Sequence, residues 1–253
     1  MIYQLNDIKD LAIDKTRNIY IDVGTSIGAP HAAKWLHDYP DAMVIGIEPN
    51  SQCIEVLAQT RKPADFMYLN IQDSCIMQKD SIVSSYKPEN LIIFHCAIDC
   101  VPEPQASTFY HTDERNIGCS SLLKPTEHLG LDITSTSEIT TVSLEYILDN
   151  LGLEDVARIN FVKTDTQGKD FDVVRSLGKY LNRINGLKCE YNVKNHYENP
   201  NSKEEFQKFM HDNGFRTIAA DGFDAYFINS IFLQECNSRE DICSIFDELP
   251  QGL

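Results

Sequence analysis

The chain has 253 residues, 42% of them hydrophobic, enough to bury one sizeable core, and a formal net charge of −16. Nucleic-acid binding draws its non-specific affinity from Lys and Arg neutralising phosphates, so this balance argues against a nucleic-acid partner and leaves a neutral or cationic small substrate. No apolar run is long enough to span a bilayer, and the opening "MIYQLNDIKDLAIDKTRN" places Asp, Lys and Asn among its apolar positions, so neither a membrane nor a secretory leader is expected and the protein reads as cytoplasmic.

In chain order, short β-rich runs alternate with amphipathic segments. "NIYIDVG" and "AMVIGIEPN" are apolar runs bounded by Asn, Asp, Gly and Pro; the "APHAAKWLHDY" between them suits a helix with Pro30 in its first turn. "NLIIFHCAI" repeats the strand pattern. From Val101 to about Thr141 the alternation breaks: "STFYHTDERNIGCSSLLKP" and "SEITTVSLEYILDNLG" read as an inserted loop or hairpin followed by a helix, placed where a substrate cover would sit. "ARINFVKTDTQG" and "INGLKCEYN" are two further strands. They flank "DFDVVRSLGKYL", which has Phe171, Val174 and Leu177 near helical spacing and Gly178 as a weak point or stop. "SKEEFQKFMHDNG" carries a helix-start signal at Ser202 and a stop at Gly214, and "FRTIAADGFDAYFINSI" reads as a hairpin about Asp221-Gly222. The acidic "SREDICSIFDELPQGL" that closes the chain reads as a surface helix or tail. Eight cysteines, with no C-x-x-C pair, read as reduced thiols rather than disulfides or a zinc site. The sum is a single α/β domain over 1–253, a doubly wound sheet, mostly parallel with an antiparallel hairpin at its C-terminal end.

Open α/β sheets bind ligands at the carboxyl ends of their strands. Those ends read Asp22-Val23-Gly24, Glu48-Pro49-Asn50, His95-Cys96-Ala97, Asp165-Thr166-Gln167-Gly168 and Glu190-Tyr191-Asn192. A dinucleotide fingerprint needs a second glycine where this chain has Ser26, which disfavours a nicotinamide enzyme. Gly24 and Gly28 instead suit a ligand without phosphate, the first making the tight turn and the second giving room over the helix start. Glu48, about twenty residues on, is placed to accept hydrogen bonds from both ribose hydroxyls. Together these point to a nucleoside with a non-phosphate tail, of which S-adenosylmethionine is the commonest. A purely structural turn is the alternative.

These segments, from "IDVGTSIG" through "VIGIEPN", "FHCAID", "GCSSLL", "VSLEYIL" and "NFVKTDTQGKDFDVV" to "KCEYN", resemble the FkbM-type S-adenosylmethionine-dependent methyltransferases. The most specific mark is the K-x-D-x-E/Q-G-x-(D/E) block, here Lys163, Asp165, Gln167, Gly168 and Asp170. The chain departs from the family in having Gln167 for the usual Glu and Thr25-Ser26 for Ala-Asn, and in a long stretch from Ser51 to Asn90. The resemblance implies a Rossmann-like class I methyltransferase sheet and methyl transfer to a hydroxyl oxygen, often on a sugar, lipid or polyketide. It places the Cys96-Ala97 backbone and small side chains against adenine, and Ser120 and Ser121 in the inserted loop near substrate. Asp22, Gly24, Ser26, Gly28, Glu48, Cys96, Ala97 and Asp165 are thus the expected cofactor residues.

In-line transfer from a sulfonium requires an aligned acceptor oxygen and a route for its proton. Asp165 is the first candidate for that carboxylate, with a helix cap as its alternative role. Lys163, two residues earlier on the same face, would orient it or reach the surface. Glu190 and the loop residue His196 are further candidates for the base. Asp165, Glu190 and Asn192 also match the oxygen-ligand sets that some small-molecule O-methyltransferases use for Mg²⁺, or form a solvated strand end. Asn192 is a candidate substrate contact too. A binding module that kept the nucleoside fold without turnover is the competing functional reading.

Overall fold

The computed structural model describes residues 2–58, 90–191, 195–198 and 200–236. The expected C-terminal tail, Asn192 and most of the stretch from Ser51 to Asn90 lie outside them. The strands are β1 (Ile2–Tyr3), β2 (Ile19–Val23), β3 (Met43–Ile47), β4 (Leu91–Phe94), β5 (Ala97–Ile98), β6 (Gln105–Thr112), β7 (Ile133–Val142), β8 (Ile159–Thr164), β9 (Ile184–Glu190), β10 (Phe215–Ala220) and β11 (Asp224–Asn229). The helices are α1 (Pro30–Asp38), α2 (Ser51–Leu57), α3 (Leu144–Asn150), α4 (Asp170–Arg175), α5 (Lys203–Asp212) and α6 (Ser230–Glu235).

Eight strands form one sheet in the order β1-β4-β3-β2-β8-β9-β11-β10. From β1 to β9 all neighbours are parallel, and β11 is antiparallel to both β9 and β10. Strand order runs outward from β2 in one direction and from β8 in the other, so a crevice opens at the carboxyl ends of this central pair. Both faces are covered, which is why β3 is apolar throughout and β2 is apolar but for the buried Asp22, rather than alternating. Ile19, Ile21, Val23, Met43 and Ile45 pack on one face against the α3 and α4 side. Tyr20, Val44 and Phe161 pack on the other around Trp35 of α1, with ring centroids of Tyr20 and Phe161 5.2 Å and 5.9 Å from Trp35. Truncating Trp35 to Ala would cost about 3 to 5 kcal/mol.

The local signals act as the residues dictate. Pro30 occupies the first turn of α1, and the Ser202 side chain caps α5 by accepting from the Glu205 amide. Gly214 follows α5 at φ +81°. α4 stops at Arg175, and the chain continues as a 3-10 turn from Gly178, where a Cβ would stand 2.0 Å from Glu145 Oε2. The Asp221-Gly222 turn joins β10 to β11, with the Asp221 carboxylate accepting from the Phe223 and Asp224 amides at 2.8 and 2.7 Å. It is β11, the second strand of that hairpin, that joins the parallel sheet, leaving β10 at the edge with a register break between Thr217 and Ala219. At the other edge stands β1, whose two residues are too few to show a period.

The segment expected to break the alternation is a hairpin of β6 and β7, which with β5 forms a second sheet in the order β5-β7-β6. An isolated bridge between Tyr110 and Ser121 folds the tip of this hairpin back over the carboxyl ends of the main sheet.

Candidate active site

Two turns leave the central strands side by side. After β2, the Gly24 and Thr25 amides donate to the Ile47 carbonyl at 2.9 and 3.2 Å, fixing the turn to the end of β3. Gly24 has φ +81°, and a Cβ there would lie 2.1 Å from the Asp165 carbonyl oxygen, so this position needs glycine for both conformation and room. Ser26, Gly28 and Ala29 also have positive φ, at 58°, 78° and 46°. Two of these carry side chains, and such strain gathers at functional turns. It aims the Ser26 amide at Glu48 Oε2, 2.7 Å away, while Glu48 Oε1 accepts from the Asn50 amide at 2.8 Å. Each carboxylate oxygen keeps a second lone-pair site. Burial pushes the Glu48 carboxyl up to about 7, against these two amides and the Lys163 charge, which favour the ionised form.

After β8, the Asp165 amide donates to the Val23 carbonyl at 3.0 Å and the Asp165 side chain emerges half-exposed. Lys163 lies beneath both turns. Its Nζ donates to the Gly24 carbonyl at 2.8 Å and stands 3.3 Å from Asp22 Oδ1 and 3.8 Å from Asp165 Oδ2. Burial pulls the Lys163 pKa down, but the Asp22 and Asp165 charges outweigh it and the net shift is upward. Burial drives the Asp22 carboxyl up, with Lys163 opposing. Asp170 is also buried; it accepts from the Thr164 hydroxyl at 2.6 Å and from the Thr166 amide at 3.3 Å, and burial followed by the Asp165 charge raises it to about 7. The last acid of the K-x-D-x-Q-G-x-D block therefore braces the turn.

A cleft open to solvent lies between these turns. Of the expected residues, Gly24, Ser26, Glu48, Ala97, Ser120 and Asp165 line it. The roof comes from the inserted hairpin, through Phe109, Ile117, Gly118, Ser120 and Leu122. Asp22 and Cys96 are wholly buried behind the lining, Asp22 against Lys163 and Cys96 in the core, while Gly28 shapes the turn behind it. Ser120 Oγ accepts from the Thr112 amide at 3.2 Å beside Asn50, whereas Ser121 Oγ donates to the Gln167 carbonyl at 2.8 Å, pinning the hairpin to the β8 turn. Successive residues of extended chain point to opposite sides, so two adjacent serines do two different things.

Lys169, unremarked in the sequence, also lines the cleft and bridges Asp99 at 2.8 Å and Asp172 at 2.6 Å. Its place directly after the Gln167-Gly168 turn was the available signal. His196 packs beside Phe223, ring centroids 6.1 Å apart, and does not line the cleft. Glu190 is also off the lining, with Oε2 buried and unpartnered. Burial, then the Asp165, Asp170 and Asp224 charges, raise Glu190 to about 9, with Lys163 opposing. Of the magnesium set expected from the sequence, Asp165 and Glu190 are described and Asn192 lies outside the described residues. Among the described residues no group of three or more His, Cys, Asp or Glu is arranged to hold a metal ion. Asp165 faces an ammonium and an amide donor, and burial keeps Glu190 protonated at neutral pH, a poor ligand for a cation.

A parallel doubly wound sheet with one reversed strand, β11, set between β9 and β10 is the class I Rossmann-like methyltransferase arrangement. The model of the family described as "Methyltransferase FkbM domain" matches residues 22–217, spanning the cleft and its roof. The chain belongs to the FkbM methyltransferase family. No curated protein matches its sequence. Among solved structures it is similar to TrmK of M. capricolum in complex with S-adenosyl-homocysteine, at 9% identity and a TM-score of 0.36, over 88% of this chain and 65% of that one. It is also similar to precorrin-6y C5,15-methyltransferase of Geobacter metallireducens GS-15, at 11% identity and a TM-score of 0.39, over 88% of this chain and 83% of that one. A third is the N-terminal domain of human METTL16 in complex with S-adenosyl-homocysteine, at 11% identity and a TM-score of 0.37, over 88% of this chain and 66% of that one. The chain thus spans just under two thirds of the TrmK and METTL16 chains.

Proposed function

We propose that the protein binds S-adenosylmethionine in this cleft and transfers its methyl group to a hydroxyl oxygen of a small molecule, sugar or glycan. The observation that carries the reading is the pairing of Glu48 and Asp165 in one cleft, a buried carboxylate on a phosphate-free turn and a half-exposed carboxylate beside it. Glu48 holds the ribose hydroxyls through its two remaining lone-pair sites, and Ser26 and Ala97 line the space beside it. The bound sulfonium supplies an electrophilic methyl group.

Asp165 orients the acceptor hydroxyl and takes its proton, so that the oxygen is freed for displacement as the proton passes to the carboxylate. Glu190, raised to about 9 by burial and the neighbouring acids, holds its proton at neutral pH and does not serve as the base. The hairpin roof, with Phe109, Ile117 and Leu122, excludes water from the reacting oxygen. The net charge of −16 disfavours a phosphate-rich acceptor.

The test is calorimetry with S-adenosylmethionine, S-adenosylhomocysteine and NAD, followed by mass detection of methylated product across a panel of hydroxylated metabolites. Binding of the first two without NAD, together with a product about 14 daltons heavier than its acceptor, is the expected result. NAD binding would overturn the cofactor assignment. Cofactor binding with no product from any hydroxylated class would favour the binding-module reading.

A further inference from the structure

Gln167 occupies a left-handed backbone position, φ +57°, that a residue with a side chain rarely adopts. Its side chain uses both ends. Gln167 Nε2 donates to Asp165 Oδ1 at 2.7 Å, and Gln167 Oε1 accepts from the Tyr197 hydroxyl at 2.6 Å. The same hydroxyl lies 3.0 Å from the Cys119 carbonyl of the inserted hairpin. The Tyr197 ring is buried and rests on Gly168, where a Cβ would approach Tyr197 Cδ2 to 3.3 Å. Burial raises the phenol far above its ordinary value, so it remains a donor. The Asp165 carboxylate, which only accepts, fixes which end of the amide faces it. Oxygen must face Tyr197, and nitrogen must face Asp165.

We infer that Tyr197 and Gln167 form a positioning relay that presents Asp165 to the acceptor and ties its orientation to the hairpin roof. The inference rests on the reading of Asp165 as the acceptor's carboxylate. Gln167 and Tyr197 touch no reacting atom; they act through Asp165. In this chain the amide supplies a donor to Asp165; the family's usual glutamate would make that contact only with one proton held between the two carboxyls.

Two arms test this. In the first, which needs no activity, the Gln167 side-chain amide is followed by ¹H–¹⁵N NMR. It should give a downfield, exchange-protected proton that is lost in Asp165→Ala and weakened in Tyr197→Phe. An amide indifferent to Asp165→Ala overturns the relay, whatever the enzyme's activity. In the second arm, Gln167→Leu should lower kcat by roughly tenfold or more with cofactor affinity unchanged, and cause no further loss in an Asp165→Asn background. Gln167→Glu should move the acid limb of the kcat profile to higher pH, which a merely structural role would not do. Losses that simply add in the double variant, or an unshifted profile in Gln167→Glu, overturn the inference. A wild type that binds cofactor and methylates nothing removes the catalytic reading of Asp165 and leaves the NMR arm to decide the relay.

Discussion

The turn after β2 and the turn after β8 are neighbours with the same outline: a strand ends, the chain passes left-handed residues, and a helix begins. They differ in what satisfies them. The β2 turn is held through its own backbone groups, with the Gly24 and Thr25 amides bonded to Ile47, the Ser26 amide to the Glu48 carboxylate and the Gly24 carbonyl to Lys163, and it faces the cleft with few side-chain atoms. The β8 turn is held by side chains from three segments, Lys163 within the strand, Ser121 of the hairpin and Tyr197 of the loop after β9. A turn held by backbone leaves space for a ligand that lies flat on it. One held by side chains aims a functional group, and its geometry depends on parts of the chain far away in sequence.

The strongest way to break both turns together is Lys163→Met. The change removes the bond to the Gly24 carbonyl and leaves Asp22 buried without its ion partner, so it should destabilise the fold by about 3 to 5 kcal/mol in urea unfolding. Gly24→Val strikes the β2 turn alone. Its added carbon meets the Asp165 carbonyl and must adopt a left-handed φ, so we expect a loss of about 2 to 4 kcal/mol of stability together with loss of cofactor binding by calorimetry.

Asp165→Asn keeps the shape of the β8 turn and removes its charge. Turnover should fall by roughly a hundredfold while cofactor affinity stays within about twofold, separating the aiming turn from the binding turn. Glu48→Ala does the reverse and should weaken S-adenosylmethionine binding by about 2 kcal/mol. Glu48 also gives the binding turn a pH signature. Ribose hydroxyls donate to the ionised form, so affinity should be full above pH 7 and fall by up to about tenfold per unit below it, a slope absent in Glu48→Gln. The same raised value has the opposite sign for folding. Between about 4.5 and about 7 the folded state holds a proton that the unfolded state releases, so this group's contribution to stability declines as pH rises through that window. The smallest effect expected is none: activity should be indifferent to chelator, since Asp165 is matched by the Lys163 ammonium and the Gln167 amide.

The two turns were not equally legible. Gly24, Gly28 and Glu48 announce the β2 turn because its logic is local, a strand, a tight turn and an acid at the end of the next strand. Lys163 and Asp165 could be placed on one face of β8 from their spacing of two. That Tyr197 would reach back to Gln167 was not readable, because the contact spans 30 residues and depends on how the β9 loop crosses the hairpin. The roof was visible only as a break in alternation. Its cleft-facing residues, Phe109, Ile117 and Leu122, emerge once β6 and β7 pair. His196 looked close to the chemistry in sequence and lies against Phe223, off the lining of the cleft.

The two edges of the main sheet bear on how this acidic chain behaves among its copies. A sheet edge is a row of free amides and carbonyls that can recruit a strand from another molecule. Here one edge is β1, only two residues long, and the other is β10, whose row is interrupted between Thr217 and Ala219. Among the described residues neither offers an unbroken template of the length an added strand requires, which disfavours growth of the parallel core that shapes the cleft into a larger sheet.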